Sequence, residues 1–440
     1  MPTGLAAFRQ HNREILASVH LEPKEEPKPD AKKPPAAAAA TGGPNHATEV
    51  IIRCMKKALA QSISNISMPE KERPLNPTTD FTFKTKTQFG PKVDAPSGLC
   101  TCSASVKNSP FEDSDADSDD ELVQEDEEDF TFTDHAPMCY RHIRSFFSVD
   151  PKQYQEVLCQ SGWHSIPTPG KSTAQLFFCG QNWVVKTMTA EESKFLQTIL
   201  HRYYYHVRDN PHTLLPHFVG HHSIYVKSLK EKVRFIIMQN VFATENKINE
   251  KFDLKGSTVN RFATREEKKK LTCTKKDLDI NRPMRIGPKR RVLLVEQMRK
   301  DCEFLKKASI MDYSFLIGIH LVETPTGGGS AGKRGTMAAG AGGASGQASG
   351  GAGGDIGAGV EYNDGRCFTA DQGGMLSSDD PNHPREIYYV GIIDILQEYN
   401  WWKSSETVVQ GVIHNRHQIS SVPPKEYAAR FYSFMSNLVV

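Results

Sequence analysis

Apolar residues recur along this chain in two rhythms. From Glu49 to Ile66 they fall at Ile52, Met55, Leu59, Ile63 and Ile66, the spacing of one helical face. Gln175 to Phe178 and Trp183 to Thr187 are instead short apolar runs split by Cys179-Gly180-Gln181-Asn182, which predicts a β-hairpin. Thr189 with Glu192 three residues on is a capping box, and Phe195, Leu196, Ile199, Leu200 and Tyr203 continue a helical face behind it. Val233 to Met238 reads as a strand closed by polar Gln239-Asn240. Further on, Leu294, Val295, Met298, Cys302 and Leu305 mark a helix over 292–305, while 315–319 and 387–393 read as strands. Pro424 suits the first turn of a last helix whose inner face carries Tyr427, Phe431, Phe434 and Leu438. The expected class is α+β in two lobes.

Three stretches lack any rhythm. Residues 1–44, rich in Pro, Ala and Lys, read as a disordered arm, and Gly/Ala/Ser-rich 324–360 as a flexible insert that cannot repay its ordering entropy. The third, about 105–130, is acidic. Glu112 to Asp129 holds 12 acids and no Lys or Arg, so the rest of the chain carries 54 basic against 40 acidic side chains. Such a run is ordinarily a solvated insert, or else a competitor for a basic surface. The remainder, at +14, wants an anion.

No run of 18 apolar residues exists, so no spanning helix is expected. The start shows no leader-like apolar segment, and Met-Pro excludes N-myristoylation, so membrane contact is expected to be peripheral. Nine scattered cysteines suit a reducing compartment, with Cys100 and Cys102 as loop thiols.

The chemistry concentrates in a few short stretches. Phe252-Asp253-Leu254-Lys255-Gly256-Ser257-Thr258 comes first, then Ile310-Met311-Asp312-Tyr313-Ser314, then Gly391-Ile392-Ile393-Asp394. Acids placed after apolar runs, with a Lys/Gly/Ser turn, are parts that phosphoryl transfer needs: metal ligands, an acid to orient a nucleophile, a cation for phosphate. Lys186 interrupts an apolar strand, which is costly unless it meets an anion or snorkels to water. Pro169-Gly170-Lys171-Ser172-Thr173 precedes the hairpin. It is not a P-loop, because Walker A needs Gly where Ser165 stands and a helix afterwards. A protein-kinase assignment fails as well, since no HRD, DFG or APE occurs.

Taken in order, DLKGST, IMDYS, GIID and the NPHTLLPHFVG block at Asn210 to Gly220 resemble the phosphatidylinositol phosphate kinase family, closest to the type I 4-phosphate 5-kinases. The likeness covers about Asp134 to Val440, and more loosely from about Thr48. It implies a two-lobed kinase-like fold with antiparallel sheets and flanking helices, the N-lobe over about 45–240 and the C-lobe over about 241–440. It also implies ATP and Mg²⁺, with Gly170, Lys171, Ser172 and Lys186 on ATP phosphate, Asp253 and Lys255 in the catalytic cleft, Asp312 orienting the inositol hydroxyl, and Asp394 with Asp312 at the metal. Arg261 matches an arginine that reaches lipid phosphate.

By the same resemblance the loop after Asp394 reads the lipid. Glu406 falls where enzymes acting on the 4-phosphate carry Glu and those acting on the 5-phosphate carry Ala. Trp401 and Trp402, which on a strand or helix would face different ways, suit a bilayer interface beside Lys403. Arg265 to Arg291 holds eleven basic residues against four acids. As an exposed loop it would favour anionic lipid by roughly 1 kcal/mol per residue, with a nuclear localisation signal at Pro288-Lys289-Arg290-Arg291 as the competing reading. The implied protein is a cytoplasmic 5-kinase at the inner face of the plasma membrane, acting on a phosphatidylinositol monophosphate, with a homodimer as one implied assembly and no nucleic-acid partner. A 5-phosphate 4-kinase and a lipid-binding pseudokinase scaffold stay open as alternatives.

Overall fold

The computed structural model describes residues 46–66, 73–90, 128–166, 174–257, 261–270, 273–322, 368, 374–399 and 422–440. The expected arm, most of the acidic insert and the Gly-rich insert lie outside these residues. The fold is α+β and kinase-like, in two compact units: one holds the described chain to Asp209 together with Pro216–Ala243, the other Asn210–Leu215 together with Thr244–Val440.

The first unit is built on a seven-stranded antiparallel sheet. Its elements are α1 (His46–Ile66), β1 (Lys84–Phe89), β2 (Phe130–His135), α2 (Pro137–Phe146), α3 (Pro151–Gln160), β3 (Trp163–Ile166), β4 (Leu176–Cys179), β5 (Trp183–Met188), α4 (Ala190–Asp209), β6 (Phe218–Val226) and β7 (Glu231–Gln239). The strand order is β1-β2-β6-β7-β5-β4-β3. Every predicted element of this region forms, and the capping box is present: the Thr189 amide donates to Glu192 Oε2 at 2.8 Å and the Glu192 amide to Thr189 Oγ1 at 3.1 Å. Lys186 sits mid-strand, between Leu176 of β4 and Ile236 of β7, and is half-buried.

A polar seam runs through the core of this unit. Asp134 and His222 pair at 3.1 Å, and Ser62 of α1 donates to the same carboxylate. The rings of His135 and His221 stack at 4.3 Å, with Ser193 Oγ 2.8 Å from His221 Nε2. Burial pushes His135 down to about 4 and His221 well below the ordinary imidazole range, with neighbouring Lys84 and His222 adding to the effect.

The second unit contains β8 (Glu250–Leu254), one-turn α5 (Arg265–Lys268), β9 (Thr274–Lys275), a 3₁₀ turn at Asp277–Asp279, α6 (Pro288–Lys307), β10 (Ser314–Leu321), β11 (Met375–Leu376), β12 (Glu386–Ile393) and α7 (Pro424–Leu438). Its sheet runs β11-β12-β10-β8-β9. Helix α7 buries Tyr427, Ala428, Phe431, Met435 and Leu438. Met435 takes the inner position expected for Phe434, which is half-buried. The rings of Tyr427 and Phe431 stand 4.7 and 4.8 Å from Tyr313.

The basic stretch 265–291 departs from the expected exposed loop in part: residues 265–270 are exposed, while several of the cations are tied to internal groups. Arg282 bridges Glu250 and the buried Glu386, Lys275 also holds Glu250, and Lys268 pairs with Asp279. Pro288–Arg291 is the first turn of α6, where Arg290 donates to the Leu376 carbonyl and Arg291 to that of Val439. These cations meet internal acids and carbonyls because folding brings strand ends to them, which spacing alone does not reveal.

The neutral imidazoles set an acid limit on stability. The unfolded chain protonates His135 and His221 near pH 6.5, whereas in the folded chain His135 resists until about 4 and His221 is held well below its ordinary range, so stability falls as pH drops below about 6.5, by at most about 1.4 kcal/mol per pH unit for each ring. Melting at pH 7.0 and 5.0 should show a clear drop in Tm that His135→Gln reduces; a flat profile contradicts the buried neutral pair.

Candidate active site

Antiparallel register gathers the catalytic candidates of the second unit at one end of its sheet. Ser314 pairs with Ile393 and Phe315 with Leu254. The residues just outside those pairs, Asp312 before β10, Asp394 after β12 and Lys255 after β8, therefore share that end. A second ladder ties the two acidic turns together. The Met311 amide donates to the Gln397 carbonyl at 3.3 Å and the Tyr399 amide to that of Ser309 at 2.9 Å. Asp312 and Asp394 have φ of 61° and 62°, a left-handed conformation that aspartate tolerates better than most residues and that the surrounding ladder must hold.

Lys255 pairs with Asp312, not with Asp253. Its Nζ lies 2.7 Å from Asp312 Oδ1 and 2.8 Å from the Asp312 carbonyl, with the lysine side chain 16 % exposed. Asp253 is instead held by Arg261 Nη2 at 2.7 Å. Arg261 Nε then donates to Asp277 Oδ2 at 2.7 Å. Arg261, expected at lipid phosphate, thus already bridges two acids here, and their charge raises its pKa against the opposing effect of burial.

Asp277 was not singled out from the sequence. Its carboxylate is 1 % exposed, and Oδ1 accepts from the backbone N–H groups of Lys255 at 2.9 Å, Gly256 at 2.7 Å and Ser257 at 3.3 Å. It is an internal acceptor that the N–H groups of the turn carrying Lys255 close upon. Burial pushes this carboxyl above its ordinary range, against Arg261 and the amides, which pull it down. The turn also needs Gly256: φ is 66°, and a Cβ there would stand 3.3 Å from Phe431 Cα and 3.2 Å from Phe434 Cβ of α7. The Asp-Leu-Asp of 277–279 inside a basic stretch was the available signal, and it reads equally well as a solvated loop.

Lys186 belongs to the first unit. Gly170, Lys171, Ser172, Trp401, Trp402, Lys403 and Glu406 lie outside the described residues. No group of three or more His, Cys, Asp or Glu forms a metal cage among the described residues. Mg²⁺ needs only one or two carboxylates when water and phosphate oxygens complete its octahedron, and the exposed Asp394 with Asp312 at the same sheet end fits that donor set.

Removing the buried anion should be costly. Asp277→Ala leaves three amide donors and the Arg261 Nε–H without their acceptor, and should lower unfolding free energy by about 3–5 kcal/mol. Urea denaturation checks this; a loss below about 1 kcal/mol would mean that the turn does not depend on Asp277.

Comparison with known proteins gives this geometry its relatives. A family model described as Phosphatidylinositol-4-phosphate 5-Kinase matches residues 157–438. The chain is 35 % identical over 346 residues to a probable phosphatidylinositol phosphate kinase of Dictyostelium discoideum, covering 70 % of this chain and 48 % of that one. It is 32 % identical over 359 residues to a phosphatidylinositol 4-phosphate 5-kinase of Schizosaccharomyces pombe, covering 72 % and 47 %. It is 30 % identical over 322 residues to the type-1 beta phosphatidylinositol 4-phosphate 5-kinase of Gallus gallus, covering 71 % and 58 %. The chain spans about half the length of the curated relatives it matches. With the matched model covering more than half of its residues, the chain belongs to the phosphatidylinositol-4-phosphate 5-kinase family.

Proposed function

We propose that the chain is an ATP-dependent lipid kinase that transfers the γ-phosphate to the 5-hydroxyl of phosphatidylinositol 4-phosphate, giving the 4,5-bisphosphate. The observation that carries this reading is the meeting of Lys255, Asp312 and Asp394 at one sheet end in a chain of this family. The relatives' names, all 4-phosphate 5-kinases or a phosphatidylinositol phosphate kinase, support it.

In this reading Asp312 accepts a hydrogen bond from the inositol hydroxyl and takes its proton as the hydroxyl oxygen bonds to the γ-phosphorus and the bond from that phosphorus to the β,γ-bridging oxygen breaks, the electron pair leaving with ADP. Lys255, already 2.7 Å from Asp312, holds that carboxylate in place and offers its ammonium to the transferred phosphoryl oxygens. Mg²⁺ held by Asp394 and Asp312 would supply charge neutralisation on the ATP oxygens. Lys186, Lys171 and the backbone of Gly170 and Ser172 hold the nucleotide phosphates. Asp253 orients Arg261, which stands as the contact to lipid phosphate. Trp401, Trp402 and Lys403 dock the bilayer surface and Glu406 reads the headgroup. Among the described residues no helix is long and apolar enough to cross a membrane. A peripheral site at the cytoplasmic face of the plasma membrane follows from the proposed substrate, and a homodimer is compatible with it.

Asp394→Asn should lower turnover by about a hundredfold or more with an unchanged melting curve. Near wild-type rates at saturating Mg²⁺ would remove Asp394 from the metal. Glu406→Ala should shift preference from the 4-phosphate toward the 5-phosphate, because only a few kcal/mol need separate two lipids. Unaltered preference on mixed vesicles would leave Glu406 without a reading role.

A further inference from the structure

The chain between α4 and β6 leaves the first unit for six residues. Asn210–Leu215 belongs to the second unit, although the segments on either side belong to the first. Within the second unit this strap is fastened by Asp301 of α6, whose side chain is wholly buried. Asp301 Oδ2 accepts from the Leu214 amide at 2.8 Å, and Oδ1 accepts from Thr213 Oγ1 at 2.8 Å and from Gln297 Nε2 at 2.9 Å. The strap in turn holds β12. The Ile392 amide donates to the Leu214 carbonyl at 2.6 Å.

That last bond lies two residues before Asp394. β11 covers the outer edge of β12 only at Ile387 and Tyr388, and the strap takes up an amide further along, where the strand ends and the backbone swings to φ 62°. A strand end with an unsatisfied amide frays, and a left-handed aspartate persists only where its surroundings fix it. Leu214 thus stands between the buried Asp301 carboxyl, which accepts from its N–H, and the strand end carrying Asp394, whose Ile392 amide donates to its carbonyl. The two bonds fix Leu214 from both sides, its N–H by Asp301 and its carbonyl by Ile392, so the link is one of position.

We infer that Asp301 is a positioning residue: through Thr213 and Leu214 it fixes the end of β12 and so the placement of Asp394. It touches no substrate. The inference deepens the proposed kinase reading and rests on it for its catalytic consequence, but the mechanical link is testable alone.

The test compares wild-type chain, Asp301→Asn, Thr213→Val and, as a stability-matched control, Leu158→Ala in the wholly buried face of α3. Hydrogen exchange should speed at the Ile392 amide in Asp301→Asn by about tenfold, the effect of weakening one buried hydrogen bond by one decade, with Ile387 and Tyr388 unchanged. With ATP and lipid vesicles the same variant should need several-fold more Mg²⁺ for half-maximal rate and show a lower kcat, while KM for ATP holds. Thr213→Val should move the same readouts less, and Leu158→Ala should lower Tm without moving the Mg²⁺ requirement. Unchanged exchange at Ile392 overturns the link. Faster exchange with an unshifted Mg²⁺ requirement overturns the positioning role. A wild-type chain with no lipid kinase turnover overturns the proposed reaction, and the exchange measurement then decides the strap by itself.

Discussion

One buried carboxylate organises the second unit's site. Asp277 takes three backbone donors from the turn after β8 and the Nε of Arg261, and that same turn carries Lys255 to Asp312. A carboxylate with 1 % exposure is tolerable because three backbone amides meet Oδ1 and the Arg261 guanidinium meets Oδ2. The arrangement transmits order outward. Fixing the turn fixes Lys255, fixing Arg261 fixes Asp253, and the end of the sheet that carries the candidate residues inherits a geometry that exposed Lys–Asp pairs could not hold for themselves.

Strand register supplies the second constraint. Because β8, β10 and β12 are antiparallel neighbours, residues distant in sequence arrive at one end through pairings that alternation of side chains locks in place. The opposite end is closed by different means. Glu250, Glu386, Arg282 and Lys275 form a charged cluster there, with Tyr388 hydrogen-bonded to Glu386. The same sheet thus spends its charges structurally at one end and keeps Asp312 and the exposed Asp394 at the other.

Local signals were legible wherever the pattern was local. The β4–β5 hairpin, the Thr189 capping box and helices α1, α6 and α7 follow from apolar spacing, turn residues and Pro424. Strand β6 was not read, because it is buried along almost its whole length and includes His221, His222 and Ser223, so neither alternation nor an apolar run marks it. The edge strand β1 was missed for the opposite reason: Lys84-Thr-Lys-Thr-Gln is mostly exposed and looks like loop. At the site, Asp253, Lys255, Asp312 and Asp394 were visible as motif residues. Their pairings were not. That Lys255 meets Asp312, and that Asp277 and Asp301 hold backbone amides, depends on long-range packing that spacing does not encode.

The central claim is an enzymatic one, and product identity tests it most directly. Purified chain should be given ATP, Mg²⁺ and anionic vesicles containing either phosphatidylinositol 4-phosphate or phosphatidylinositol 5-phosphate, and the bisphosphate formed should be quantified. The account predicts 4,5-bisphosphate chiefly from the 4-phosphate. Preferential use of the 5-phosphate would contradict the assigned specificity, and no product from either lipid would contradict the proposed kinase activity itself.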